Sequence, residues 1–185
     1  VGLGRTDAGR PVGLAEAVAP RPAADVVADE ARALDSFGLA PRLVRRAPAS
    51  DICNCHGWVF GGGKYWLLRA DVEVIIADNG YKPVADPRPG DLAVYREADG
   101  AIAHTAIVRQ SGGQLRVEGK WLWMGVFEHA VADSPFGTNV TYYRSPRAGH
   151  QIAGLDHPVR PSDGLAPGSE LPDPTQRTWG PIPNR

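Results

Sequence analysis

The stretch PGDLAVYREADGAIAHTAIVRQSGGQLRVE, residues 89–118, decides the fold. Three short runs lie in it, Leu92 to Arg96, Ile102 to Gln110 and Gln114 to Glu118. Ala98-Asp99-Gly100 and Ser111-Gly112-Gly113 part them, and both separators have turn composition. The reading is an antiparallel meander, fed by the turn Pro87-Arg88-Pro89-Gly90. A further strand is expected at Val140 to Arg144.

Upstream of the meander the pattern is helical. Val27, Ala31 and Leu34 fall at i, i+4 and i+7 between Pro22 and Phe37, with Asp25, Asp29 and Glu30 toward the start and Gly38 as the stop. Cys55 to Phe60 begins a helix that Gly61-Gly62-Gly63 keeps short, and Asp71 to Asp78 forms another, ended by Asn79-Gly80. Helices come first and strands after, so the class is α+β, with amino-terminal helices packed on a small antiparallel sheet. Residues 1–21 read as a loose leader. Residues 22–50 are a helix and a basic connector with Arg42, Arg45 and Arg46, and residues 51–149 carry the informative motifs. Residues 150–185 read as an extended tail with Trp179 for local packing, because seven of the 17 prolines fall there.

Composition sets bounds on function. At 185 residues and 43% hydrophobic, the chain can build one core without disulfides or metals. A net charge of −1 supplies no field to draw in nucleic acid. No apolar run approaches the roughly 18 residues of a membrane span. The sequence starts at Val1 with no visible signal peptide. Its two cysteines, Cys53 and Cys55, stand too close together for an unstrained bridge.

Cys55 is the first residue with a chemical reading. A cysteine just ahead of a helix has its thiolate favoured, the more so beside a cationic histidine. Gly57 allows close approach of backbone or ligand. Some fifty residues on, Pro89-Gly90-Asp91 turns into a strand, and His104 begins the next one. A nucleophilic thiol needs a base within hydrogen-bond reach, and the base needs an orienting third group. If Ser111-Gly112-Gly113 is a three-residue hairpin loop, Gln110 pairs with Gln114, and Glu118 shares a face with His104. Glu118 is then the orienter. Asn54, His56, Trp58 and Trp121 are candidates for oxyanion donors or groove wall, and Lys120 is a further donor. Tyr65, Trp66 and Trp123 add to the aromatic density.

These blocks resemble the NlpC family of papain-like peptidases, whose signature is roughly Asp-Cys-Ser-Gly-Phe-Val, a Pro-Gly-Asp-led strand, and His-Val-Gly-Ile-Tyr. They are also similar to the related CHAP amidohydrolase domains. Here the matching residues are Asn54-Cys55-His56-Gly57-Trp58-Val59, Pro89-Gly90-Asp91 and His104-Thr105-Ala106-Ile107-Val108. The resemblance covers residues 51–118 and implies a papain-like fold with Cys55 as nucleophile and His104 as base. It also implies hydrolysis of amide bonds in cell-wall peptides without metal or organic cofactor, and a cell-envelope or secreted location. Asn54 replaces the family's acid and His56 its small hydroxyl residue. Three alternatives stand beside this reading. They are a zinc site from Cys53, Cys55, His56 and His104, a non-catalytic binding module on the same fold, and an acyltransferase using the same pair.

Overall fold

The computed structural model describes residues 2–17, 19 and 21–155. Its first elements are β1 (Gly2–Arg5) and β2 (Pro11–Leu14), an antiparallel hairpin in which Val12 and Leu14 are fully buried. The loose leader expected over residues 1–21 is therefore a folded hairpin. Alternate residues of each strand are buried, Gly2 and Gly4, Val12 and Leu14, and that period-2 signal was hidden by the glycines around it.

Next come α1 (Ala23–Phe37), β3 (Val44–Ala47), α2 (Cys55–Phe60) and α3 (Arg69–Asp78). Gly38 ends α1 in the left-handed conformation at φ 62°, as a stop glycine should. The buried stripe of α1 is Val26, Glu30 and Leu34; Leu34 is shared with the expected stripe, while Val26 and Glu30 take the places of Val27, which is exposed, and Ala31. Glu30 can sit inside because Arg45 binds both of its oxygens, at 3.1 and 2.8 Å, and the Gly125 N–H adds a third bond at 2.6 Å.

The remaining strands are β4 (Lys82–Val84), β5 (Leu92–Arg96), β6 (Ile102–Gln110), β7 (Arg116–Lys120), β8 (Val126–Ala130) and β9 (Val140–Arg144). With β3 they form one seven-stranded antiparallel sheet in the order β3-β8-β7-β6-β5-β9-β4. The meander is present, but the sheet is large. The basic connector supplies one edge strand and the segment after Gly80 the other.

Both faces of the sheet are covered. On the first, Val59 and Phe60 of α2 and Val72 and Ile75 of α3 pack with Leu92 and Val94. On the second, Ala93, Tyr95, Ala106, Val108 and Val117 meet Phe136, while Leu34 of α1 joins Trp121, Met124 and Phe127. Completely buried side chains such as Phe60 and Ile75 each contribute about 1.5–3 kcal/mol. The chain after residue 149 does not leave this body at once. Ile152 is buried in the first core, and Ala153 pairs with Arg5. Trp179 and the rest of the expected tail lie outside the described residues.

Strand parity decides what reaches α2. Val94 pairs with Thr105 and Leu92 with Ile107, so Thr105 and Ile107 face the helix side. Tyr95 pairs with His104 and Ala93 with Ala106, which turns His104 to the second face.

Candidate functional site

Cys55 opens α2, and Asn54 caps it. The Asn54 Oδ1 accepts N–H bonds from Gly57 at 2.8 Å and Leu67 at 3.2 Å, while its Nδ2 donates to the Leu67 carbonyl at 2.8 Å. These bonds tie the start of α2 to the strand-like segment beside it. Asn54 is thus a cap and a clamp, engaged at both ends of its amide, rather than a free oxyanion donor. Gly57 is obligatory, because a Cβ there would lie 1.5 Å from the Tyr65 carbonyl oxygen. The close approach foreseen for this glycine is to the chain itself.

Cys55 is 1% exposed, and its sulfur lies 3.7 Å from Nδ1 of His56. The same Nδ1 is 3.0 Å from the Thr105 hydroxyl. Burial pushes the Cys55 thiol up to about 11, and hydrogen bonding from the Thr105, His56 and Cys55 backbone opposes the rise. Neighbouring Cys53 is also raised by burial, and the cation of Lys120 pulls it back. Lys120 is 2% exposed, and its Nζ donates to the carbonyls of Ser50 at 2.6 Å and Met124 at 2.7 Å. It staples the loop ahead of Cys55 to the β7–β8 turn. Burial lowers its pKa, countered by the nearby Cys53, Cys55 and Glu30.

The expected Cys55–His104 pair is not formed. His104 is completely buried, and neither ring nitrogen has a hydrogen-bond partner among the described residues. Its ring stacks on Phe136 at 4.1 Å and tilts against Tyr95 at 5.4 Å. Gly119 leaves it room, since a Cβ there would come within 2.8 Å of Nε2. Burial, with His129 and His56 adding to it, holds His104 well below the ordinary histidine range, so it is neutral. The physical reason is parity: on β6 Thr105, not His104, points toward α2.

Glu118 does not orient His104. The β6–β7 loop has five residues, Ser111 to Leu115, which by itself would keep the expected face. A register shift between Val108 and Gln110 inserts Arg109 as an extra residue. Glu118 then pairs with Ile107 on the helix side and binds Arg109 through two contacts of 3.1 Å. Trp121 is also not a groove residue. It is fully buried, and its Nε1 donates to Nε2 of His129 at 3.3 Å. Trp58 is half-buried and does line an open cleft of about 1080 Å³ beside α2.

The structure thus brings together Cys55, His56, Thr105 and Lys120, with Cys53 close by. Sequence reasoning named His56 and Lys120 only as auxiliary donors and missed Thr105. The signal for Thr105 was available in β6, where the residue beside a buried histidine must face the other way. No group of three or more His, Cys, Asp or Glu among the described residues is arranged to hold a metal ion, so the zinc alternative has no ligand set there. No helix among them is long and apolar enough to cross a membrane. No protein-family model, curated protein or solved structure matches the chain.

Proposed function

We propose that the chain is a cysteine-dependent hydrolase of amide bonds, with Cys55 as nucleophile and His56, not His104, as the proton acceptor. One observation carries this reading: an imidazole nitrogen, itself 3.0 Å from the Thr105 hydroxyl, lies 3.7 Å from the sulfur of a cysteine that opens a helix. The papain-like arrangement, a helix bearing the nucleophile laid on an antiparallel sheet, belongs to the same proposal. The substrate class, peptides such as those of bacterial cell walls, rests on the sequence resemblance.

A thiol held near 11 is protonated at neutral pH, so no thiolate waits in the resting site. Proton transfer from Cys55 to His56 Nδ1 accompanies attack on the amide carbonyl, and a thioester forms. The Thr105 hydroxyl shares this Nδ1, so it gives up the lone pair before the transfer and then accepts from the new N–H. His56 returns the proton to the leaving amine and then takes one from water, which releases the acid. Because the sulfur is buried, substrate must part the residues over it before attack.

The test is incubation with defined muropeptides and mass spectrometry of the products. Cys55→Ala should give no product, and His56→Gln should lose about 100-fold or more in turnover. His104→Asn should keep turnover in whatever fraction folds by near-ultraviolet circular dichroism. Full turnover by Cys55→Ala removes the proposal, and loss confined to a folded His104→Asn returns the base role to that residue. A second reading, a non-catalytic binding module, is favoured by the 1% exposure of Cys55. Peptide binding by the wild-type protein with no cleavage selects it.

A further inference from the structure

The cleft beside α2 has a chemistry that the thiol does not use. Four arginines line its 1080 Å³, Arg88, Arg109, Arg144 and Arg147, with Trp58 and Ile107 as the apolar part of the wall. Three of the guanidiniums are already held by protein oxygens, and Asp91 and Gln151 among the partners also line the cleft. Arg144 places Nε and Nη2 on Asp91 at 2.9 and 2.7 Å and Nη2 also on the Asp86 carbonyl at 3.0 Å. Arg109 spends Nε and Nη2 on Glu118. Arg147 binds Asp7 through Nη1 and the Gln151 carbonyl through Nη2 at 2.5 Å.

What these bonds leave over is informative. Nη1 of Arg109 and Nη1 of Arg144 have no partner among the described residues, and neither does Nε of Arg147, which is buried. A buried guanidinium N–H without an acceptor is costly and uncommon in a finished structure. Arg88 is exposed and its guanidinium has no ion-pair partner among the described residues; its backbone is engaged, the N–H donating to Asp91 Oδ2 at 2.8 Å and the carbonyl accepting from the Asp91 N–H at 3.0 Å. Four guanidiniums against Asp91, Glu118 and Asp7 leave one uncompensated cation, at Arg88. His150 adds no charge: its Nε2 meets the Gly90 carbonyl at 2.9 Å, its Nδ1 meets the Tyr81 hydroxyl at 2.6 Å, and burial lowers its pKa.

We propose that this cleft binds a small organic oligoanion, a molecule with two or more carboxylate or phosphate groups and an apolar or planar portion set against Trp58. Guanidinium forks match both oxyanions geometrically. Asp91, itself part of the cleft wall, together with Glu118 and Asp7 holds the forks in place before the ligand arrives, which lowers the ordering cost of binding. The cleft volume is that of a site for a ligand of drug or short-peptide size. Arg88 gains its counter-charge. The inference stands whether or not Cys55 is a nucleophile, since no thiol chemistry enters it.

Calorimetric titration of the whole chain at low salt tests this with citrate, a tri-glutamate peptide, inorganic pyrophosphate and ADP. At least one probe should bind. Arg88→Gln, at an exposed position without a partner, should fold normally and weaken that binding roughly tenfold. Arg147→Gln should do the same, with a thermal melt to show that it folds. Arg32→Gln, on the exposed face of α1, should leave affinity unchanged. Preference for citrate or tri-glutamate assigns the anion as carboxylate, and preference for pyrophosphate or ADP assigns it as phosphate. Absence of binding by all four, or binding that Arg88→Gln leaves intact, overturns the proposal.

Discussion

Replacing Gly57 by alanine sets two effects of opposite sign against each other. Alanine inside a helix is favoured over glycine by about 1 kcal/mol. The new Cβ, however, would stand 1.5 Å from the Tyr65 oxygen and 2.7 Å from its carbon. An ordinary carbon–oxygen contact is about 3.3 Å, so α2 and the segment at Tyr65 must part by about 2 Å. That movement opens the Asn54 bonds to Leu67, at 2.8 and 3.2 Å, each worth about 1 kcal/mol. Strain in the surrounding core adds about 1–3 kcal/mol. The net expectation is a loss of about 2–4 kcal/mol, or a drop of about 1–2 M in urea midpoint at a slope of about 2 kcal/mol per M. Tryptophan fluorescence against urea measures it, and iodoacetamide labelling of Cys55 should rise in parallel. A midpoint equal to or above that of the wild type would show that the contact with Tyr65 is not what demands a glycine.

Two further outcomes follow from the buried groups. His104, His129 and His150 all have folded-state pKa values lowered mainly by burial, so below about 6.5 the unfolded chain binds more protons than the folded one. Stability is therefore full above about pH 6.5 and falls as the pH drops, by up to about 1.4 kcal/mol per pH unit for each histidine; urea midpoints at pH 8 and pH 5 that coincide would contradict this. Iodoacetamide labelling of Cys55 in the folded protein should climb about tenfold per pH unit from pH 7 to 10, because the thiol is held near 11. A plateau beginning below pH 8 would mean a thiolate already formed.

Much of the backbone was legible because local chemistry dictates it. Ala98-Asp99-Gly100 and Gly38 mark turns by needing backbone freedom at positive φ, at Gly100 and Gly38 alike, and the structure has both. The strand at Val140–Arg144 and the short helix at Cys55–Phe60 also stand where the sequence reading puts them. The leader hairpin was not legible, because its strands are only four residues long and glycine-rich and are held by burial against the body. β8 was missed for a related reason: Val126 to Ala130 includes Glu128 and His129, which read as loop until Arg46 and Arg116 neutralise the glutamate and Trp121 donates to the histidine. Glu30 shifted the apparent buried stripe of α1 because a carboxylate is expected outside unless its partner is known.

The candidate site divides along the same line. The sequence alone determined that a cysteine would open a short helix, that a meander would follow, and that His104 would lie within its second strand. Those are consequences of turn composition and periodicity over a few residues. Only the tertiary structure decided which imidazole meets the sulfur. Side chains on a strand alternate, so the neighbour of His104 faces α2, and a single extra residue at Arg109 sends Glu118 to the face opposite His104. One-residue shifts of this kind leave composition and spacing unchanged while moving each affected group across the sheet.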